Sequence, residues 1–186
     1  MIIGAVGKNA TGKDYLLGYI SEKYGIPMIS MGDIVRDIAT REGLEHNRDN
    51  LHYISEKYMS QDKYYFTKAT IEKIKSMNVK NILVSGIRPL EDVVYFKEIY
   101  GSDFFLVRVQ ISDDMDRFSR MLKRHSQRDP LTFDEFVRAD QEEERIFHTS
   151  ESEKLADLTV LNDGDLESFH AEIDRIFDEV ISKKLI

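Results

Sequence analysis

The sequence predicts an α/β protein built on a five-stranded parallel sheet, and three observations support this class. Short apolar runs rich in β-branched residues, typical of buried strands, recur five times along the chain. Longer segments whose apolar residues return every three or four positions, the period of an amphipathic helix, separate these runs. A glycine-rich turn joins the first strand to the first helix. Strands that alternate with helices form a parallel sheet through right-handed crossovers.

Local signals set the limits of the elements in chain order. A break at 25–27 ends the first helix, Gly43 caps the next one, and Pro89 suits the first turn of a later helix. Thr132 and Glu135 form a capping box that starts another. The predicted strands are 1–6, 27–30, 81–86, 104–111 and 157–161. The predicted helices are 13–24, 30–43, 47–61, 62–77, 89–100, 113–128, 133–147 and 166–180.

Composition limits the function. The 186 residues, 41% hydrophobic and 32% charged, suffice for one globular domain over 1–186. The absence of cysteine excludes disulfides, thiolate metal sites and thiol catalysis. A net charge of −8 and an isoelectric point near 5.2 argue against nonspecific binding to nucleic acid or acidic membranes. Because the sequence has no signal-peptide pattern and no membrane-length apolar run, we expect a cytoplasmic protein, monomeric or homodimeric.

The turn after the first strand carries the pattern G-x-x-x-x-G-K, from Gly7 to Lys13. Its glycines let the backbone curl so that successive N–H groups point at a phosphate, Lys13 reaches the β- and γ-phosphates, and the next helix adds its positive dipole end. An ordinary glycine-rich turn is the less favoured explanation. The predicted ATP site, a P-loop, comprises Gly7, Lys8, Asn9, Ala10, Thr11, Gly12, Lys13 and Asp14.

Asp14 stands where P-loops usually have Ser or Thr, whose hydroxyl binds Mg²⁺. A carboxylate is also a hard oxygen ligand for Mg²⁺. Alternatively, an acid in the first turn of a helix is stabilised by the helix dipole, and the two roles are compatible. We favour the metal role because this position points at the phosphates, and we predict Mg²⁺ as a cofactor.

An acidic protein that binds a polyanion needs a local cluster of positive charge. On the predicted helix 113–128, arginines recur every three or four positions, nearly opposite the apolar Met115, Phe118 and Leu122. These arginines are Arg117, Arg120, Arg124 and Arg128. A solvated helix face is the alternative interpretation. The next helix, 133–147, is strongly charged, which favours an exposed, movable element.

Several segments resemble the nucleoside monophosphate kinases, a family of P-loop proteins. Ser30–Arg36 is similar to the acceptor-binding segment T-G-D-M-L-R of adenylate kinases and matches its glycine, aspartate and arginine. Ser85–Arg88 is similar to the segment D-G-F-P-R that follows the third strand. Arg128 with Arg138 resembles the arginine-bearing lid. The resemblance covers nearly the whole chain and implies a three-layer P-loop kinase fold with strand order 2-3-1-4-5.

The resemblance also implies an activity, the transfer of the γ-phosphoryl group of ATP to a small phosphorylated acceptor such as a nucleoside monophosphate. Acceptor-binding helices would lie at about 31–78 and a helical lid at about 117–147. The catalytic residues would be Lys13, Asp14, Arg88 and Arg128, and the metal ligands Asp14 and Asp33. The substrate would contact Asp33, Arg36, Arg88, Arg124 and Arg138, of which Arg36 and Arg88 would hold the acceptor's phosphate.

The sequence departs from the adenylate kinases at two positions. Ser85 replaces an acid that organises Mg²⁺ in that family, and Asp14 could compensate for this loss. The loop also resembles those of phosphomevalonate kinases and phage-type deoxynucleotide kinases, and 129–136 is shared with archaeal adenylate-kinase-like proteins. A phosphomevalonate-type or dephospho-coenzyme-A-type acceptor is therefore an alternative. A nucleotide-gated switch or assembly ATPase is a further alternative, which Arg36 and Arg88 disfavour because a switch needs no second anion site.

Overall fold

The computed structural model describes residues 1–123, 129–178 and 182. The strands are β1 (Ile2–Val6), β2 (Met28–Ser30), β3 (Ile82–Ser85), β4 (Phe104–Gln110) and β5 (Leu158–Leu161). The helices are α1 (Lys13–Tyr24), α2 (Met31–Arg41), α3 (Arg48–Gln61), α4 (Tyr65–Met77), α5 (Leu90–Tyr100), α6 (Asp114–Lys123), α7 (Phe133–Phe147), α8 (Thr149–Lys154) and α9 (Leu166–Ile176). A single turn of 3₁₀ helix, Gly101–Asp103, precedes β4.

Within the described residues, the five strands form one parallel sheet in the order β2-β3-β1-β4-β5, which confirms the predicted class and strand order. All five residues of β1 are buried, and β1 pairs with β3 on one side and β4 on the other. Strands covered on both faces need nearly continuous apolar sequence, which β1 and β4 have. The most apolar strands therefore occupy the middle of the sheet.

Helices cover both faces of the sheet and bury two apolar clusters. Alternate residues of β1 point to opposite faces, so Val6 packs with residues of α2 to α5 whereas Ile3 packs with residues of α1 and α9. Phe96 in the first cluster is completely buried, and Phe169 in the second is nearly so. The sheet is thus the middle layer of three, and its strand ends are free to carry a site.

Most helix limits follow the signals expected from the sequence. Gly25 and Gly43 adopt positive φ after α1 and α2, and the side chain of Asn47 caps α3. The capping box of Thr132 and Glu135 is formed at the start of α7. The helix predicted from residue 62 begins at Tyr65. A helix with the length and apolarity needed to cross a bilayer is not found in the described part of the chain.

Two features of the helices were not anticipated. The short helix α8 carries no apolar stripe, so the sequence gives no periodic signal for it, yet its Ser152 is fully buried. Leu166, the first residue of the predicted last helix, is exposed because it lies in the first turn, ahead of the part of α9 that packs on the sheet. Phe169, Ile173 and Ile176 form the buried face of this helix.

Asp92 is a buried carboxyl group in the helical layer. It lies in the first turn of α5, is 4% exposed, and accepts a hydrogen bond from the hydroxyl of Thr67. Burial raises the pKa of Asp92 to about 7, and hydrogen bonds from Thr67 and the backbone of Arg88 oppose that rise only in part. Between about pH 4 and pH 7 the folded protein therefore holds a proton at Asp92 that the unfolded chain does not.

We expect Asp92 to make the free energy of unfolding fall as the pH rises through that window, because the unfolded chain binds fewer protons there. Asp92→Asn stays neutral and removes this dependence. Relative to the wild type, its stability should rise by on the order of 2 kcal/mol between about pH 5 and pH 8. Urea denaturation at both pH values measures the difference. Glu98→Gln, an exposed carboxyl on the same helix, is the control, and equal shifts in both variants would contradict the assignment.

Candidate functional site

The loop between β1 and α1 is a tight turn that depends on glycine at two positions. Gly7 has φ +147° and Gly12 has φ +96°, values that side-chain-bearing residues rarely adopt. A Cβ atom at Gly7 would collide with the carbonyl oxygen of Val109, and one at Gly12 would lie 2.7 Å from Nδ2 of Asn162. The spacing of the two glycines thus has a steric reason as well as a conformational one.

Distant parts of the chain hold this loop in place. Asn162, buried just after β5, donates a hydrogen bond of 2.9 Å to the carbonyl oxygen of Thr11. Arg117 of α6 donates one of 3.0 Å to the carbonyl oxygen of Asn9. Nζ of Lys13 lies 3.3 Å from the carbonyl oxygen of Lys8. These carbonyl groups accept hydrogen bonds from other parts of the protein, an arrangement compatible with a loop whose N–H groups face an anion.

Arg117, predicted to lie on a basic helix face, is a buried arginine. Its side chain is 1% exposed, pairs with Asp114 at 2.8 Å and with Asp140 of α7, and lies 4.6 Å from the ring centre of Phe136. Met115 and Leu122, expected to be on the packed face of α6, are exposed. The predicted orientation of α6 is therefore wrong, because α7 and the loop offer Arg117 a full set of partners.

One cavity of about 1080 Å³ runs from the loop across the C-terminal ends of the strands. Next to the loop, it is bounded by Tyr15, the 164–166 turn and Phe169, with the cationic Arg120 and Lys123. We call this part the donor side. The part beyond Lys13 contains three further arginines, and we call it the acceptor side. Its lining includes Met31, Val35, Arg36, Arg48, Leu51, His52, Ser55, Met59, Phe66, Arg88 and Phe147.

The cavity brings together most of the predicted loop and acceptor residues. Asn9, Ala10, Gly12, Lys13, Asp14, Arg36 and Arg88 line it. Gly7 and Lys8 instead line a neighbouring cavity of about 410 Å³ beneath α7, together with Asn9, Lys13 and Arg88. Thr11 is buried and lines neither cavity, since its hydroxyl donates to the carbonyl oxygen of Lys8.

Other predicted residues lie elsewhere. Asp33 is exposed, pairs with Arg36, and lines neither cavity. Arg138 is also exposed and lines neither cavity. Arg124 and Arg128 lie outside the described residues. The structure adds Arg48 to the predicted set, at 3.9 Å from Asp129. Arg48 follows the polar segment 41–47 without any motif, so the sequence offered no signal for it.

Glu143 of α7 connects the two sides of the cavity. It is 8% exposed, and both its oxygens lie 3.1 Å from Nη1 of Arg88. Its Oε1 lies 3.4 Å from Nε2 of His52, and Asn9 lines the same two cavities as Glu143. Burial by itself raises the pKa of Glu143, but Arg88, His52 and Asn9 outweigh burial and hold the pKa at about 2. The carboxylate is therefore ionised at neutral pH.

The acceptor side combines apolar walls with a few polar groups. Leu51, Met59 and Phe66 border a recess that also contains the buried Ser55. The hydroxyl of Ser55 donates its proton to the carbonyl oxygen of Leu51 at 2.9 Å, so toward the recess the oxygen is an acceptor. Such a recess fits a flat, largely apolar group that has an N–H to donate.

Metal binding would depend on few protein ligands. Among the described residues, no three His, Asp or Glu side chains cluster as metal ligands. Asp14 is exposed and lines the cavity beside Lys13. Mg²⁺ is commonly held by one or two carboxylates together with phosphate oxygens and water. This donor set fits an ion that arrives with a nucleotide better than a resident ion.

Arg117→Met should destabilise the protein by on the order of 3 kcal/mol, because Asp140 and the carbonyl of Asn9 lose a buried partner. ATP binding should weaken as well, since the loop loses an anchor. Chemical denaturation and nucleotide titration measure the two effects.

The control for Arg117→Met is Arg145→Met. Arg145 is exposed on α7 and pairs with Glu142 in solvent, so the change should have little effect on stability. Adding Asp140→Asn to Arg117→Met should recover part of the stability, because it removes the unpaired acid. Equal losses for the two arginines, or no recovery, would contradict the anchoring role.

Comparison with known proteins is consistent with this geometry. A family model described as "AAA domain" matches residues 6–146. A UPF0200 protein of Hyperthermus butylicus is 32% identical over 181 residues, 97% of this chain and 95% of that protein. Shikimate kinase from Acinetobacter baumannii, solved with shikimate, has a TM-score of 0.60 at 13% identity, over 100% of this chain and 95% of its own.

A gluconokinase from Sinorhizobium meliloti has a TM-score of 0.56 at 16% identity, over 97% of this chain and 95% of its own. At such identities, structural similarity establishes the fold alone. The fold of these kinases is the one that the sequence predicted, with its strand order of 2-3-1-4-5. The chain therefore belongs to the AAA domain family and to the UPF0200 proteins, and it has the fold of P-loop kinases.

Proposed function

We propose that this protein is an ATP- and Mg²⁺-dependent kinase that transfers the γ-phosphoryl group to a small acceptor already bearing a phosphate, with a nucleoside monophosphate as the leading candidate. The observation that carries the proposal is the cavity of about 1080 Å³ that joins the loop around Lys13 to a second group of cations, Arg36, Arg48 and Arg88. Two separate clusters of positive charge in one cleft suit two phosphorylated ligands.

On the donor side, the loop amides and Lys13 would hold the β- and γ-phosphates of ATP. The N-terminus of α1 adds its positive dipole end at the same place. The rest of the nucleotide would extend toward Tyr15 and the 164–166 turn, where Arg120 supplies a planar cation. These contacts bind the donor and leave its γ-phosphoryl group facing the acceptor side.

Asp14 is the residue best placed to hold Mg²⁺, together with phosphate oxygens of the bound nucleotide. The ion would neutralise part of the charge that develops on the transferring group. Asp33, the other predicted ligand, pairs with Arg36 and does not line the cavity, so we propose Asp14 as the ligand ahead of Asp33.

On the acceptor side, Arg36 and Arg88 would bind the acceptor's phosphate, and the recess beside Leu51, Met59 and Phe66 would receive its base. An oxygen of the acceptor's phosphate attacks the γ-phosphorus, a new P–O bond forms, and the bond to the bridging oxygen of ADP breaks. The protein contributes positioning and charge stabilisation rather than covalent chemistry. Closure of the 117–147 segment, with Arg124, Arg128 and Arg138, would exclude competing water.

An acceptor of the phosphomevalonate or dephospho-coenzyme-A type is the second candidate. It is favoured by the three arginines of the acceptor side, which exceed the need of one phosphate and suit an acceptor with an additional anionic group. The apolar recess with Ser55 favours the nucleoside monophosphate. A screen separates the two: ADP release is followed with ATP, Mg²⁺ and each phosphorylated metabolite in turn, with shikimate and gluconate as unphosphorylated comparisons.

Lys13→Ala should lower the acceptor-dependent rate of ADP release by on the order of a thousandfold, because the γ-phosphoryl group loses its point charge. Lys73→Ala, which removes an exposed lysine of α4, is the matched control and should keep the wild-type rate. Thermal denaturation confirms that both variants fold. Wild-type turnover in Lys13→Ala would overturn the kinase proposal, and ADP release that no small acceptor stimulates would favour the switch or assembly ATPase.

Asp14 and Ser85 provide a test of the metal role. If Asp14 replaces the acid missing at position 85, Asp14→Asn should raise the Mg²⁺ concentration needed for half-maximal rate. Asp14→Ser should also have low activity. The double variant, Asp14→Ser with Ser85→Asp, should recover more activity than the sum of the two single changes predicts, and a double-mutant cycle measures this coupling. An additive cycle with unaltered Mg²⁺ titrations would leave Asp14 as a helix-start acid only.

A further inference from the structure

Glu143 lies where the donor and acceptor sides meet. It lines both the main cavity and the smaller cavity beneath α7, and its neighbours there come from three other parts of the fold. Arg88 follows β3, His52 belongs to α3, and Asn9 belongs to the loop before α1. A single carboxylate therefore lies between the proposed acceptor site and the donor loop.

The contact with Arg88 occupies a group that an incoming phosphate would use. Both oxygens of Glu143 lie 3.1 Å from Nη1 of Arg88, while Phe147 lies 5.4 Å from the guanidinium carbon. The hydroxyl of Ser152 donates a hydrogen bond of 2.6 Å to the carbonyl oxygen of Arg88 and so holds the backbone of Arg88 in place. The backbone is thus held independently of Glu143, so the guanidinium could exchange one anion for another without a change of fold.

We propose that Glu143 is an internal anion that holds Arg88 until the phosphate of the acceptor replaces it, and that this exchange couples the acceptor site to the donor loop through Asn9. The inference rests on the proposed function insofar as that function places the acceptor's phosphate at Arg88. A second phosphorylated ligand would then be recognised by its charge, since only an anion can take the place of a carboxylate at Arg88.

The coupling to the donor loop follows from the position of Asn9. Its carbonyl oxygen accepts a hydrogen bond from Arg117 at 3.0 Å, and Asn9 lines both cavities together with Glu143, whose pKa its side chain helps to lower. When the carboxylate leaves, the link to Arg117 keeps the backbone of the loop in place. The amide of Asn9 is then free to donate to a phosphate oxygen of the donor, so acceptor binding favours donor binding and the reverse.

A purely orienting role for Glu143 makes the opposite prediction. If the carboxylate only orients Arg88 toward the cleft, its loss lets the Arg88 side chain adopt other conformations, and phosphate binds more weakly. If the carboxylate competes with phosphate, its loss removes the competitor, and phosphate binds more tightly. The sign of the change in affinity therefore separates the two roles.

The experiment titrates inorganic phosphate, as the probe, onto protein saturated with Mg²⁺ and a non-hydrolysable ATP analogue, and follows binding by calorimetry. Glu143→Gln should bind phosphate about five- to fiftyfold more tightly than the wild type. Glu143→Asp, which keeps a shorter acid, should bind phosphate with an affinity between those of the wild type and Glu143→Gln. When Arg88→Ala is added, Glu143→Gln should no longer bind phosphate more tightly than the protein with Glu143 intact. The matched control is Glu142→Gln, which changes the neighbouring acid that pairs with Arg145. This variant should bind phosphate as tightly as the wild type does.

The coupling has its own measurement. In the wild type, phosphate should tighten binding of the ATP analogue several-fold, whereas in Glu143→Gln the analogue should already bind tightly and phosphate should add little. Weaker or unchanged phosphate binding in both Glu143 variants, with melting temperatures like that of the wild type, overturns the inference.

Failure of the proposed function would be seen separately. If the wild type does not bind the ATP analogue, the kinase proposal fails before phosphate is added. The phosphate titration is then performed on nucleotide-free protein that carries Lys13→Ala, so that the cation of the loop cannot bind the added phosphate. In that setting tighter binding in Glu143→Gln still supports the anion exchange at Arg88, and weaker or unchanged binding still overturns it.

Discussion

The outward carbonyl groups of the loop from Gly7 to Lys13 are the constraint on which the site depends. A loop that turns its N–H groups toward an anion turns carbonyl groups the other way, and buried carbonyl groups need donors. Asn162 supplies one to Thr11 and Arg117 supplies one to Asn9. These donors come from after β5 and from α6, so the far half of the chain must be folded before the loop has its shape.

The sheet order places the two sides of the cavity. β1 lies between β3 and β4, so the chain reverses its direction of travel across the sheet at the strand that feeds the loop. Ligands of open α/β sheets bind at such a reversal, beyond the carboxyl ends of the strands. The acceptor arginines follow β2 and β3, whereas Asn162 follows β5 on the other side. Lys13 stands between them at the start of α1, which is why one cavity reaches from the loop to these arginines.

The sequence predicted the strands, the strand order and the loop because each has a local signal: apolar runs, glycines at fixed spacing, and segments shared with a known family. It failed where the decisive partner is distant. Arg117 has the spacing of a solvated helix face, and only the presence of Asp140 and Asn9 makes it a buried residue. Glu143 belongs to a run of acids on α7 and differs from its neighbour Glu142 in facing Arg88 and His52 rather than Arg145. Such roles are set by tertiary contacts, which spacing does not encode.

The acceptor side is close to charge-balanced within the protein itself. Arg36 pairs with Asp33, Arg88 with Glu143, and Arg48 lies 3.9 Å from Asp129. An isolated cation in a partly buried cleft would bear a desolvation cost, and paired acids offset it. A chain of net charge −8 can therefore hold three arginines in one cleft without a ligand. Under the proposed function, a phosphorylated acceptor would therefore have to displace these carboxylates, and its affinity would be the difference between the ion pairs that it forms and those that it replaces.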